Sequence, residues 1–225
     1  MHRVHDGVQC RCINILERLG AIQPIGEAIQ RRLFVGAPGH HRFVWNLHYA
    51  KATGGLKDEN RPEGVWAPPG RYTVELTVGG QKLRQPLTVV ADPRVKVSQA
   101  DFDAEFRLAK AIEQARVRVA RMVEQADDLK GRLAKAKSQA SAAALLPAFE
   151  ALVGEGAPIG GKTPPTTLTS ISEWLDSLAT AVDGADAAPT PDDVRGFQVV
   201  SAELNAMEPR WAAFEAQARA QLPPT

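Results

Sequence analysis

The chain has 225 residues, 44% of them hydrophobic and 24% charged, with a formal net charge of +1. That composition is ordinary for one large or two small globular domains. It leaves no large basic excess to neutralise phosphates, which argues against nucleic-acid binding by bulk electrostatics and leaves only a local basic patch open. No apolar run approaches the ~20 residues of a membrane span. The opening MHRVHDGVQC lacks the apolar core of a secretory signal, so this chain by itself is expected to stay in the cytosol. Cys10 and Cys12 form a C-x-C with only His2 and His5 nearby. That is too few cysteines for a disulfide framework and a poor ligand set for a metal, so none is expected.

Residues 1–35 are the least legible part. Ile13, Leu16, Leu19, Ile25 and Ile29 suggest one or two short helices, broken by Gly20 and Pro24. From residue 36 the pattern sharpens. Residues 41–49, HRFVWNLHY, alternate Phe43, Trp45, Leu47 and Tyr49 with Arg42, Val44, Asn46 and His48. That predicts a strand with an aromatic buried face. A polar loop over residues 50–65 follows.

Residues 66–92 then read as a hairpin. Tyr72, Val74, Leu76 and Val78 alternate with Arg71, Thr73, Glu75 and Thr77, the period of two of a half-buried strand. Gly79 and Gly80 supply the positive-φ positions of a tight turn, and Leu87 and Val89 continue the apolar face on the second strand. Three such strands make only part of a β-sandwich.

Asp92 and Pro93 end the sheet, and Ser98 with Asp101 reads as a capping box. Leu108, Ile112, Ala115, Val119, Met122, Ala126, Leu129 and Leu133 then form an unbroken heptad seam. It predicts a helix near residues 98–137 that needs partner helices. The chain supplies three candidates. Leu145, Phe149 and Leu152 mark one; Leu168, Ile171, Leu175, Leu178 and Val182 mark the next, with Trp174 beside the seam. Thr190, Pro191, Asp192 and Asp193 start the last, a threonine cap followed by proline and acids. Its seam is Phe197, Val200, Leu204, Met207, Trp211, Phe214 and Ala218, and Pro209 is expected to kink it. The expected architecture is α+β: a partial sheet over 36–95, then an antiparallel helical bundle over 96–225.

Several motifs invite a chemical reading. Gly156, Gly161, Lys162 and Thr163 spell G-x-x-x-x-G-K-T, the phosphate-loop pattern. That chemistry needs a strand before the loop and a helix starting at the Lys-Thr pair. A helical pattern precedes the loop here, and Pro164 and Pro165 follow it, removing two N–H donors; an inter-helix loop without nucleotide is expected. His40, His41 and His48 have no nucleophile or carboxylate that the sequence places beside them. The pairs Asp127/Asp128 and Asp192/Asp193 point about 100° apart on a helix and make poor acid–base couples. Trp174 and Trp211 belong to apolar seams rather than to a sugar platform. No catalytic residue, cofactor or metal ligand is assigned.

Four phrases carry a resemblance: HRFVWNL at 41–47, APPGRYTV at 67–74, QPLTV at 85–89 and DPRV at 92–95. They resemble the C-terminal part of bacterial glycosyl-hydrolase-like proteins with BNR (Asp-box) repeats and sortilin-like β-propellers. The resemblance spans about residues 36–222. It implies an immunoglobulin-like module followed by a helical region, in proteins that are typically exported. Asn46 and His48 stand where that pattern usually has Asp and Arg, and no S-x-D-x-G-x-x-W Asp-box occurs. The resemblance therefore implies a C-terminal fragment with a foreign start, lacking the propeller in which any hydrolase activity would reside. What it leaves is a non-catalytic scaffold or interaction module. A propeller domain or partner protein would cover the sheet, with Arg42, His48 and Trp66 as the candidate surface. The alternatives are a binding module of a sugar-acting hydrolase or a P-loop nucleotide binder.

Overall fold

A computed structural model describes residues 42–52, 64–136, 140–154 and 164–222, and the backbone of 11–17 and 28–34. The protein is mixed α+β, with a small antiparallel sheet and four helices among the described residues. It divides into two compact units. One comprises Met1–Lys51 and Pro62–Asp103, the other Ala52–Arg61 and Ala104–Thr225.

The first unit holds β1 (Arg11–Glu17), β2 (Ala28–Phe34), β3 (Gly70–Val78) and β4 (Gln81–Val89), in the order β2-β1-β3-β4 with every neighbouring pair antiparallel. Two strands thus come from the segment where the sequence suggests short helices. The local pattern there is weak, and pairing decides. Ile13 stands opposite Leu76 and Ile15 opposite Val74, and β-branched residues favour a ladder once a partner strand exists. β3 is thereby an inner strand, paired on both sides, rather than an edge.

A second expectation also changes. Residues 42–50 are not a strand; only His48 bridges Trp66. Leu47 takes φ +62°, which interrupts the extended run. Around that break the backbone still pairs: Ala67 N–H donates to the Leu47 carbonyl at 2.7 Å and Tyr49 N–H to that of Val65 at 2.9 Å. Tyr49, Val65, Ala67, Tyr72 and Phe102 are each buried. The Trp45 ring meets Tyr72 edge-on at 5.3 Å, and the Tyr72 hydroxyl donates to the Pro68 carbonyl at 2.6 Å.

The hairpin itself forms as its pattern predicts. Gly79 and Gly80 take φ +56° and +83° at the turn, which a side chain would strain. Two details depart from expectation. Leu87 and Val89, like Val74, Leu76 and Val78 of the expected buried face, are only half-buried, and β4, the edge strand, is otherwise exposed. Lys82, Arg84 and Pro86 lie along that edge, residue types that discourage a further strand from adding. Glu75, expected on a solvated face, is 3% exposed.

The second unit contains most of α1 (Gln99–Lys135), with α2 (Ala140–Val153), α3 (Leu168–Val182) and α4 (Pro191–Gln221). α1 has 37 residues, so it is ~55 Å long. Its start is fixed by Ser98 and Asp101: the Ser98 hydroxyl donates to the Asp101 carboxylate at 2.7 Å, and Asp101 N–H donates back to the hydroxyl at 3.2 Å. Thr190 and Asp193 do the same for α4, with the hydroxyl 2.7 Å from the carboxylate.

Most seam positions are buried, as their spacing predicts. Ile112, Val119, Met122, Leu129 and Leu133 are buried on α1, Leu145 and Phe149 on α2, Leu168, Ile171 and Leu175 on α3, and Val200, Leu204, Met207, Trp211 and Phe214 on α4. Leu108, Leu178 and Phe197 are half-buried, and Ala179 takes the buried position next to Leu178.

The directions are less uniform than a simple alternation. Arg118 reaches Asn205 and Glu208, Gln125 accepts from Trp211, and Glu124, Asp128 and Arg132 line a groove with Glu215 and Arg219. Numbers rise together, so α1 and α4 run parallel. Arg116 pairs with Asp176, while Glu105, earlier on α1, lies near Asp183 and Asp186, so α3 runs antiparallel to α1. The cause is the shortness of α2 and α3, with 14 and 15 residues. The C-terminal end of α2 meets the first turn of α3, where the Thr169 hydroxyl donates to the Val153 carbonyl at 2.9 Å. Gly154 makes this junction possible: its φ is +64°, and a Cβ there would sit 2.4 Å from Thr167 Cγ2.

Candidate functional site

His48 and Trp66 are brought together by the short pairing of residues 47–49 with residues 64–67. The rings stack with centroids 3.8 Å apart at 38°. Trp66 remains 47% exposed, an unusual state for so large an aromatic side chain. The pair is held from below. Trp45 Nε1 donates to the His48 carbonyl at 2.8 Å, His48 N–H donates to Asn46 Oδ1 at 3.3 Å, and His48 Nδ1 lies 3.1 Å from the Asn46 carbonyl. The positive φ of Leu47 sets the turn between Asn46 and His48. Val44, at 69%, and Leu47 are exposed on the same segment, as is Arg42 further upstream. The arrangement can offer a flat aromatic face with an imidazole edge; among the described residues no hydrogen bond or ion pair joins His48 to a nucleophile or carboxylate.

The phosphate-loop pattern at Gly156, Gly161, Lys162 and Thr163 falls outside the described residues, as do His2, His5, Cys10, His40 and His41. Its described flanks are α2, which ends at Val153, and α3, which begins at Leu168. Among the described residues, a helix therefore precedes the loop where a phosphate cradle has a strand, and the next described helix starts beyond Pro164 and Pro165. Asp127 and Asp128 are exposed on α1, and Asp193 is occupied as a cap. Trp211 is buried and donates to Gln125 Oε1 at 2.8 Å. Trp174 is half-buried, its Nε1 enclosed without an acceptor among the described residues. Among those residues no group of three or more His, Cys, Asp or Glu can hold a metal ion, and no helix is long and apolar enough to cross a membrane.

Three polar constructions were not anticipated. Glu75 stands directly opposite Arg84 across the hairpin, accepting from Arg84 Nε at 2.8 Å, with Lys82 Nζ 3.1 Å from its other oxygen. The Arg84 guanidinium, and after it the Lys82 ammonium, hold the Glu75 carboxyl below its ordinary value against the opposite pull of burial. The Gly79–Gly80 turn sets this register, so the pairing was available to a reader who counted outward from it. Arg118 grips both oxygens of Glu208 as a fork, at 2.8 and 2.7 Å, and lowers its pKa. Glu105 is a buried carboxyl whose pKa rises to about 7, chiefly through burial and then through the charges of Asp186 and Asp183. Neither of these two has a sequence signal, because their partners lie 78 or more positions away.

Comparison with protein-family models, with curated proteins and with solved structures finds no match.

Proposed function

We propose that the chain is a non-catalytic interaction module: an immunoglobulin-like sheet carrying an aromatic docking face, joined to a helical bundle. It would act as the accessory C-terminal part of a propeller-type, glycosyl-hydrolase-like protein. The observation that carries the reading is the exposed Trp66 ring stacked on His48 and backed by the Trp45–His48 hydrogen bond. Binding faces favour aromatic side chains whose position is already fixed, because little entropy is lost on docking. The hydroxyl of Tyr72, at the start of its strand, bonds back to the carbonyl of Pro68. That geometry supports the immunoglobulin-like reading, since such sandwiches use a tyrosine in this way at a strand corner.

The test is a calorimetric titration of the full chain with an isolated Asp-box β-propeller domain. Saturable binding, weakened about tenfold or more by Trp66→Ala, is expected from a central aromatic contact. No binding, or binding indifferent to Trp66 and Arg42 substitutions, would contradict the reading. Oligosaccharides titrated in the same way separate a sugar-binding module, in which the Trp66 face takes a pyranose ring, from a protein-docking one.

A further inference from the structure

β4 is the outer strand of the described sheet, and residues 81–86 are all exposed. The Gly79–Gly80 turn makes Val78 and Gln81 the closing hydrogen-bonded pair of the hairpin. Bonded and non-bonded positions alternate along an antiparallel ladder, so Gln81, Leu83 and Gln85 bond to β3. The backbone groups of Lys82, Arg84 and Thr88 then point outward. Pro86 holds the remaining outward position, where its missing N–H costs the ladder nothing. The same positions carry charge. Lys82 and Arg84 share one carboxylate, Glu75, at 3.1 and 2.7 Å, and their side chains remain 58% and 48% exposed. Arg71, exposed and opposite Thr88, lies on the same side of the hairpin. Three cations against one carboxylate leave this side positive. The other side of β4 presents Leu83, exposed, and Leu87, half-buried.

We propose that residues 81–85 form a docking edge for an extended acidic segment of a partner protein, added antiparallel to β4 with acidic and apolar residues in alternation. Backbone bonds to an exposed sheet edge supply affinity in such an addition, and alternate side chains supply specificity. Acidic residues two apart stand directly opposite Lys82 and Arg84, where the outward backbone bonds form, and the apolar residue between them lies beside Leu83. Opposite charges facing each other across a ladder stabilise it, and like charges oppose it. Cations and a proline discourage addition to an edge in general; here they also select, because an acidic strand gains from them what a neutral or basic one does not. A second copy of the chain fits worse. Pairing centred on Leu83 or Arg84 sets these cations against their own equivalents, and pairing centred on Gln85 sets Arg84 against Pro86, which has no N–H to give. This edge shares no residue with the Trp66–His48 face.

Magnetic resonance of the full chain, titrated with a capped synthetic peptide alternating glutamate and valine, tests this. Saturable shifts are expected over residues 81–85. The outward amides of Lys82 and Arg84 exchange about tenfold more slowly once the peptide is bound. A peptide alternating lysine and valine leaves both amides unchanged. The glutamate peptide N-methylated at its glutamates keeps the charge and loses the strand bonds, so it protects neither amide. Lys82→Glu weakens binding of the unmodified glutamate peptide about fivefold. Absence of saturable binding overturns the proposal, as does undiminished binding to Lys82→Glu. Equal protection by the N-methylated peptide overturns it too, since charge attraction alone would then suffice. Should Lys82→Glu disturb the sheet through Glu75, the N-methylated peptide on the wild-type chain decides alone.

Discussion

In the helical unit, residues three and four apart in sequence are neighbours on one face, and the faces so written are the faces that meet. In the sheet unit, the decisive neighbours are far apart: Ile13 lies opposite Leu76, and Leu47 bonds to Ala67. The first arrangement is readable residue by residue. The second depends on which strand finds which, and a local pattern does not contain that choice. The two units differ in the same way in what a mutation removes, a large apolar volume in one and a small polar constraint in the other.

That contrast predicts a steep gradient of effects. Leu204 on α4 is 0% exposed, and Leu204→Ala is expected to cost about 3 kcal/mol, from lost burial and the cavity left behind. Denaturant unfolding would show a lower midpoint with an unchanged slope. Leu83, at 63% exposure on the free edge strand, is the control; its replacement by alanine should change stability by less than about 0.5 kcal/mol. Comparable losses at both positions would remove the distinction between a packed helical core and an open sheet edge.

A smaller effect sharpens the sheet side. Glu75→Gln leaves Arg84 and Lys82 without their carboxylate and is expected to cost about 1 kcal/mol near neutral pH. The pH dependence is the better diagnostic. Glu75 has its folded pKa depressed below 4.5, so its contribution is present above that value and is lost as pH falls through the depressed one. Acid unfolding of Glu75→Gln should therefore be shallower than that of the wild type.

What was legible follows the same line. Seam positions such as Ile112, Ile171 and Leu204, the threonine cap of α4 and the Gly79–Gly80 turn could be read because each is decided within a few residues. The N-terminal strands could not, since Ile13 and Ile15 gain their conformation from β3. Residues 42–50 alternate as a strand does, yet a single positive φ at Leu47 turns the run into an irregular segment and leaves Trp66 and His48 stacked. The aromatic candidates for the interaction surface were thus visible as residue types, but not their stacking. The parallel course of α1 and α4 was hidden for a different reason. Seam spacing identifies faces and says nothing of direction, which here follows from two short helices meeting between two long ones.

The central structural claim is that the N-terminal strand makes β3 an inner strand. Amide hydrogen exchange along β3 in the full chain tests it most directly, because successive N–H groups of a strand point to opposite neighbours. With β1 and β4 both paired to β3, the account predicts slow exchange at successive amides from Arg71 to Val78. Slow exchange at every second position only, with the intervening amides at loop rates, would mean that β4 alone is paired, and would contradict it.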